Sequence, residues 1–184
     1  MGQLIFVTGG ARSGKSTFAE KLARETGQTV AYIATAIAFD DGMKDRIAKH
    51  QAQRPDHWGT IEQYKGFQTI TDDPIFEQAD TVLFDCLTVM TTNNMLDFPV
   101  DYDSCTMEQV GEIESVNKRE VEKLLDVCQG KNLIVVSNEV GLGLVPAYKL
   151  GSYFRDIAGR MNQLVAARAD EAYLLVAGLP MKLK

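Results

Sequence analysis

Gly9-Gly10-Ala11-Arg12-Ser13-Gly14-Lys15-Ser16 fits the spacing G-x-x-x-x-G-K-[ST]. Glycines at 9, 10 and 14 let a backbone turn tightly and approach phosphate oxygens. The N–H groups of such a loop, together with a helix N-terminus, favour an anion. Lys15 supplies a point charge for the outer phosphates, and the Ser16 hydroxyl can ligate Mg2+. The loop needs a strand before it and a helix after it. Leu4 to Val7 reads as that strand and Lys15 to Glu25 as that helix.

Asp85 closes the apolar run Val82-Leu83-Phe84. A carboxylate at the carboxyl end of a buried strand is where a phosphate-loop protein holds its metal, although such an Asp is also an ordinary turn residue. A GTPase switch would need N-K-x-D and D-x-x-G strings. Asn138 is followed by Glu139, and Asp85 by Cys86-Leu87-Thr88, so neither is present. His50 falls on a helix face with Met43, Arg46 and Ile47, and Arg54 follows one turn later. Two guanidiniums beside an imidazole can handle phosphate. A neutral imidazole can attack phosphorus. From spacing alone a solvated helical histidine is the stronger reading. His57, beside Trp58, reads as packing or a loop contact.

The elements that must hold these groups alternate along the chain. Strands are expected at 29–33, 60–64, 81–84, 133–136 and 172–176, the last strong one. Helices are expected at 41–53, ending before Pro55, and at 73–79, 87–96, 107–128 and 153–169, with Gly130 as a helix-ending glycine. Residues 97–106 read as a loop. Continuous Val/Ile/Leu runs separated by helices imply an α/β fold of the P-loop NTPase kind: a mostly parallel central sheet with helices on both faces. With 184 residues and neither a repeat nor a linker, 1–184 reads as one domain. Asn138 to Gly143 follows a strand end, hence the ligand edge of the sheet. It reads either as a substrate contact with glycine hinges or as a plain connection. Arg155, Asp156 and Arg160 read as a salt-bridged face or as a contact to phosphate.

Composition excludes several classes. The net charge is −6, from 25 acids against 19 bases, without a basic stripe, which argues against nucleic acid as partner. No apolar run approaches the roughly 20 residues of a membrane helix. The N-terminus lacks a basic n-region ahead of its apolar stretch and does not read as a signal peptide. Three widely spaced cysteines without CxxC or Cys–His spacing point to free thiols in a reducing, cytoplasmic setting, with Cys86 and Cys128 as packing residues.

The blocks GGARSGKS, YIATA, DGMKDRIAKHQAQRPDHW, VLFDCLT, VVSNEVGLGLVP and FRDIAGRMNQLVAARADEAYLLVAGLPMKLK occur in this order. Together they resemble the bifunctional adenosylcobinamide kinase / adenosylcobinamide-phosphate guanylyltransferase family of cobalamin biosynthesis. The resemblance runs from residue 4 to 184 and is weakest over 97–129. It implies phosphorylation of adenosylcobinamide by ATP or GTP. GMP then passes from GTP through a covalent histidine to adenosylcobinamide phosphate, with release of pyrophosphate. The family's guanylylated histidine lies in R-I-x-x-H-x-x-x-R-P-x-x-W, which makes it His50; the preceding residue is Lys49. The resemblance further implies nucleotide contacts at Gly9 to Ser16, at Ala34, Thr35 and Ala36, at Gln51, Ala52, Gln53 and Arg54, and at Glu62 and Asp85. Lys15 acts in both transfers, Ser16 and Asp85 hold Mg2+, and the assembly is a homotrimer. A single-activity P-loop kinase and a GTP-binding regulatory module are the competing readings.

Overall fold

The computed structural model describes residues 2–37 and 55–184. The expected helix over 41–53, His50, and Gln51 to Arg54 lie outside the described residues.

Seven strands form one sheet: β1 (Leu4–Gly9), β2 (Val30–Ala34), β3 (Gly59–Glu62), β4 (Thr81–Asp85), β5 (Asn132–Asn138), β6 (Glu171–Val176) and β7 (Leu179–Lys182). Their order is β3-β2-β4-β5-β1-β6-β7. Neighbours run parallel except β7, which is antiparallel to β6. Five α-helices are described: α1 (Lys15–Thr26), α2 (Pro74–Gln78), α3 (Leu87–Asp97), α4 (Met107–Val127) and α5 (Lys149–Arg168), with a 3-10 turn over Phe67–Asp72.

Residues alternate between two cores, as the two-residue period of a strand demands. Ile5, Val7, Val30, Tyr32, Leu83, Ile134 and Val136 face α1, with Ala19 and Ala23 opposite them. Phe6, Ala31, Ile33, Val82, Phe84, Leu133 and Val135 face the other way, onto Met90 of α3, Ile113 and Leu124 of α4, and Ile157 and Met161 of α5. Both faces are covered, so the strands read as unbroken apolar runs rather than as alternating ones. Each fully buried aliphatic side chain stabilises this arrangement by roughly 1.5–3 kcal/mol.

Local signals set the helix ends. Asp73 caps α2 by accepting the Ile75 N–H at 2.8 Å, with Pro74 at the first helical position. Thr106 and Gln109 form a reciprocal capping box at the start of α4. Gly130 does adopt a left-handed φ of 90°, two residues past the cap residue Cys128. The structure starts α5 at Lys149 rather than 153. It also adds β7 and the 3-10 turn, neither of which periodicity reveals. All four β7 residues are exposed and Pro180 sits within them, so no buried face writes a pattern into that segment.

Candidate phosphate-binding site

The phosphate loop joins β1 to α1 and adopts a tightly constrained path. Arg12 has φ 60° and Gly14 φ 91°, both left-handed. A Cβ at Gly9 would lie 2.6 Å from the Leu175 carbonyl oxygen and 2.6 Å from Ser13 Oγ, so only glycine fits there. Gly14 is the cap residue of α1, and the helix's first turn carries neither an acidic residue nor a capping side chain. The opening amides of α1 are therefore presented to a ligand at the positive end of the helix dipole. Lys15 Nζ donates to the Gly10 carbonyl at 3.2 Å, which draws the ammonium back over the loop. Ser16 is half-exposed beside it.

The turn between β6 and β7 braces this loop from behind. Ala177 and Gly178 have φ 52° and 82°, and the Gly178 N–H donates to the Ser13 carbonyl at 2.8 Å. The Gly-x-Pro at 178–180 is the only sequence signal for this contact, and it marks a turn without saying what the turn touches.

Asp85 stands at the carboxyl end of β4, half-buried. Its Oδ2 accepts the Tyr32 hydroxyl at 2.7 Å, and among the described residues Oδ1 takes no hydrogen bond. Burial pushes the neighbouring Cys86 thiol up to about 12; the Asp85 charge adds to the rise and the Lys15 charge opposes it. The thiol is thus protonated near neutral pH, which makes it a packing group rather than a nucleophile.

Thr35 is 1% exposed. Its hydroxyl donates to the Cys86 carbonyl at 2.9 Å and accepts the Cys86 N–H at 2.8 Å. Its N–H donates to the Asp85 carbonyl, and its own carbonyl accepts from Asn93. The side chain of Thr35 is therefore committed inside the protein, while Ala34 and Ala36 on either side are half-exposed. Glu62, Ala34 and Asp85 share one register across β3, β2 and β4. With strands about 4.8 Å apart, Asp85 lies two steps, about 10 Å, from β1, and the exposed Glu62 four steps, about 19 Å. Asp85 thus lies nearer the phosphate-loop strand, and Glu62 stands at the far end of the same edge. Among the described residues no three His, Cys, Asp or Glu side chains form a metal-binding cluster.

Strand β5 lies between β1 and β4, and its carboxyl end separates the loop from Asp85. Ser137 hydrogen-bonds Thr88 and Asn162, the Asn138 N–H donates to Thr88 Oγ1 at 2.6 Å, and its carbonyl accepts from Asn162. The next residue, Glu139, donates its N–H to the Gly9 carbonyl at 3.0 Å. This bond continues the β1–β5 ladder by one rung and sets the start of the segment beside the phosphate loop. Arg160, by contrast, pairs with Glu114 at 2.8 Å, and Arg155 approaches Asp156, so the salt-bridged face is what the structure contains on α5.

The model of the cobinamide kinase / cobinamide phosphate guanyltransferase family matches residues 5–183. The chain belongs to this family. It is 41% identical over 183 residues to the bifunctional adenosylcobalamin biosynthesis protein CobU of Escherichia coli, covering 98% of this chain and 99% of the relative. The CobU protein of Salmonella typhimurium is 40% identical with the same coverage. The CobP protein of Pseudomonas aeruginosa is 42% identical, covering 97% of this chain and 95% of that one. A solved ATPase from the type III secretion system of pathogenic bacteria shares the fold, with a TM-score of 0.58 at 11% identity. That match covers 96% of this chain and 52% of the ATPase, so the chain spans about half its length. This member of the family is thus a nucleotide-dependent transferase built on a mostly parallel seven-stranded sheet. Among the described residues no helix is long and apolar enough to cross a membrane.

Proposed function

We propose that one domain spanning the chain performs two successive transfers. The first moves the γ-phosphoryl group of ATP or GTP onto the hydroxyl of adenosylcobinamide. In the second, a nitrogen of His50 attacks the α-phosphorus of GTP and pyrophosphate leaves. The acceptor's phosphate oxygen then takes GMP from the histidine, giving adenosylcobinamide-GDP. The observation that carries this reading is the phosphate loop with Lys15 on the sheet edge shared with Asp85, in a chain of this family.

Lys15 and the open amides of α1 suit the β- and γ-phosphates in both reactions, because the charge that develops on those oxygens is similar whichever phosphorus is attacked. Ala34, Ala36 and Glu62, further along the edge, suit the nucleoside portion, and Gln51 to Arg54 join them by family resemblance. Mg2+ would be held by the Ser16 hydroxyl and the open Asp85 oxygen. Two hard oxygen donors suit an ion that keeps most of its waters. When bound, it offsets charge on the phosphate oxygens.

A homotrimeric assembly is supported by apolar surface that a lone chain leaves in water: Leu142, Leu144, Val145 and Tyr148 after β5, and Leu179 and Met181 on the edge strand. Sedimentation as a monomer would count against it. The free cysteines fit a reducing, cytoplasmic setting.

Parallel incubations with α-labelled and γ-labelled GTP and a cobinamide acceptor test the central reading. The expected result is γ-label in the acceptor and acid-labile α-label on the protein, the latter lost in His50→Ala. Label from the γ position alone would leave a single-activity kinase. Binding with neither label would leave a regulatory module.

A further inference from the structure

We propose that Glu139 is the proton acceptor of the kinase step; this rests on the two-transfer reading above. The phosphoryl acceptor is a hydroxyl, which gains from losing its proton as it attacks. Three carboxylates occupy the carboxyl edge of strands β3, β4 and β5. Glu62 lies four strand steps from the phosphate-loop strand, and Asp85 lies two steps away with one oxygen held by Tyr32. Glu139 is a single step away, about 5 Å, and its own N–H is bonded to Gly9, the first residue of the loop.

Its geometry suits a base. The Gly141 N–H donates to Oε1 at 2.6 Å, which fixes the rotamer. Among the described residues Oε2 takes no hydrogen bond or ion pair, and Glu139 is half-exposed. The strand end beneath it is bolted by Thr88 and Asn162, so the carboxylate sits on a rigid platform rather than a loose loop. A pre-organised base loses little freedom on reaching the transition state.

The step balances. The acceptor oxygen forms a bond to the γ-phosphorus while the bond from that phosphorus to the β–γ bridging oxygen breaks. The bridging electron pair leaves on the nucleoside diphosphate. The hydroxyl proton passes to Glu139 Oε2, and the resulting acid returns it to water. Guanylylation of an imidazole nitrogen by GTP has no hydroxyl to deprotonate, so that half-reaction does not need Glu139.

The test uses the purified full chain, with γ-transfer to cobinamide and α-labelling of the protein measured on the same preparations. Glu139→Gln keeps the shape and the Gly141 contact but cannot take a proton. Its kinase kcat should fall about 100-fold or more, with the nucleotide KM and the α-labelling rate within about threefold of wild type. The acidic limb of the wild-type kcat–pH profile should vanish in Glu139→Gln and persist, at reduced rate, in Glu139→Asp. A Glu139→Gln kinase rate within about threefold of wild type, or an equal fall in both activities, would overturn the assignment. Wild-type chain with no γ-transfer would overturn it together with the two-transfer reading; wild-type chain with γ-transfer but no α-label would sink only the latter's second step.

Discussion

Thr35→Val replaces a hydroxyl with a methyl of nearly the same shape at a position that is 1% exposed. Two hydrogen bonds disappear, to the Cys86 N–H at 2.8 Å and from the Thr35 hydroxyl to the Cys86 carbonyl at 2.9 Å. The consequences are unequal. The Cys86 carbonyl still accepts the Met90 N–H at 3.1 Å, in the first turn of α3. The Cys86 N–H is left with no partner in a buried site. An orphaned buried donor costs about 1–3 kcal/mol, and the second lost bond adds about 0.5–1.5 kcal/mol. The extra methyl returns part of this, so the expected loss is about 2–3 kcal/mol. For a chain of this size that corresponds to a fall in Tm of about 4–12 °C. Urea titration followed by far-UV circular dichroism measures it, with Thr35→Ser as the control that restores the hydroxyl. If Thr35→Val stays within about 0.5 kcal/mol of wild type, the bridge from β2 to the Cys86 peptide does not hold the Asp85 strand end, and the reasoning fails.

Lys15→Ala should lower both γ-transfer and α-labelling by about 100-fold or more, because the proposed function has both reactions building charge on phosphate oxygens held by this loop; loss of only one activity would show that the two nucleotide poses do not share the loop. Asp97 is held below the usual carboxylate range, first by its hydrogen bond from Lys65 and then by that from Tyr64. Its folded pKa is lower than its unfolded one, so its stabilisation is present above the unfolded value of about 3.9 and is lost as pH falls through the folded value. The pair is exposed, which keeps the effect small. The urea midpoint of Asp97→Asn should therefore lie slightly below wild type at pH 7 and approach it as pH falls below the usual carboxylate range; a gap that widened on acidification would contradict the sign.

The phosphate loop was legible because its requirements are local. Gly14 is needed for its own φ, and Lys15 and Ser16 follow it along a helix whose start the same loop defines. The buried strands were legible because each must cover two faces with apolar side chains, and Leu133 to Val136 cannot do so with any other composition. The amino acid sequence also carried the family, through blocks that hold their order from end to end.

Adjacency was not legible. Nothing in residues 132–139 says that β5 enters between β1 and β4, yet that insertion brings Glu139 to Gly9 and sets Asp85 one strand further off. Thr35 reads as one more residue of a nucleotide-contact block, and only the pairing of β2 with β4 shows its hydroxyl closing on the Cys86 peptide. The turn at Gly178 shows no sign of the Ser13 carbonyl it supports. Periodicity and turn chemistry act over a few neighbouring residues, so they write themselves into the chain. Strand order is chosen by the summed burial and pairing of segments more than 100 residues apart, such as Gly9 with Asn138, and no local stretch records that choice.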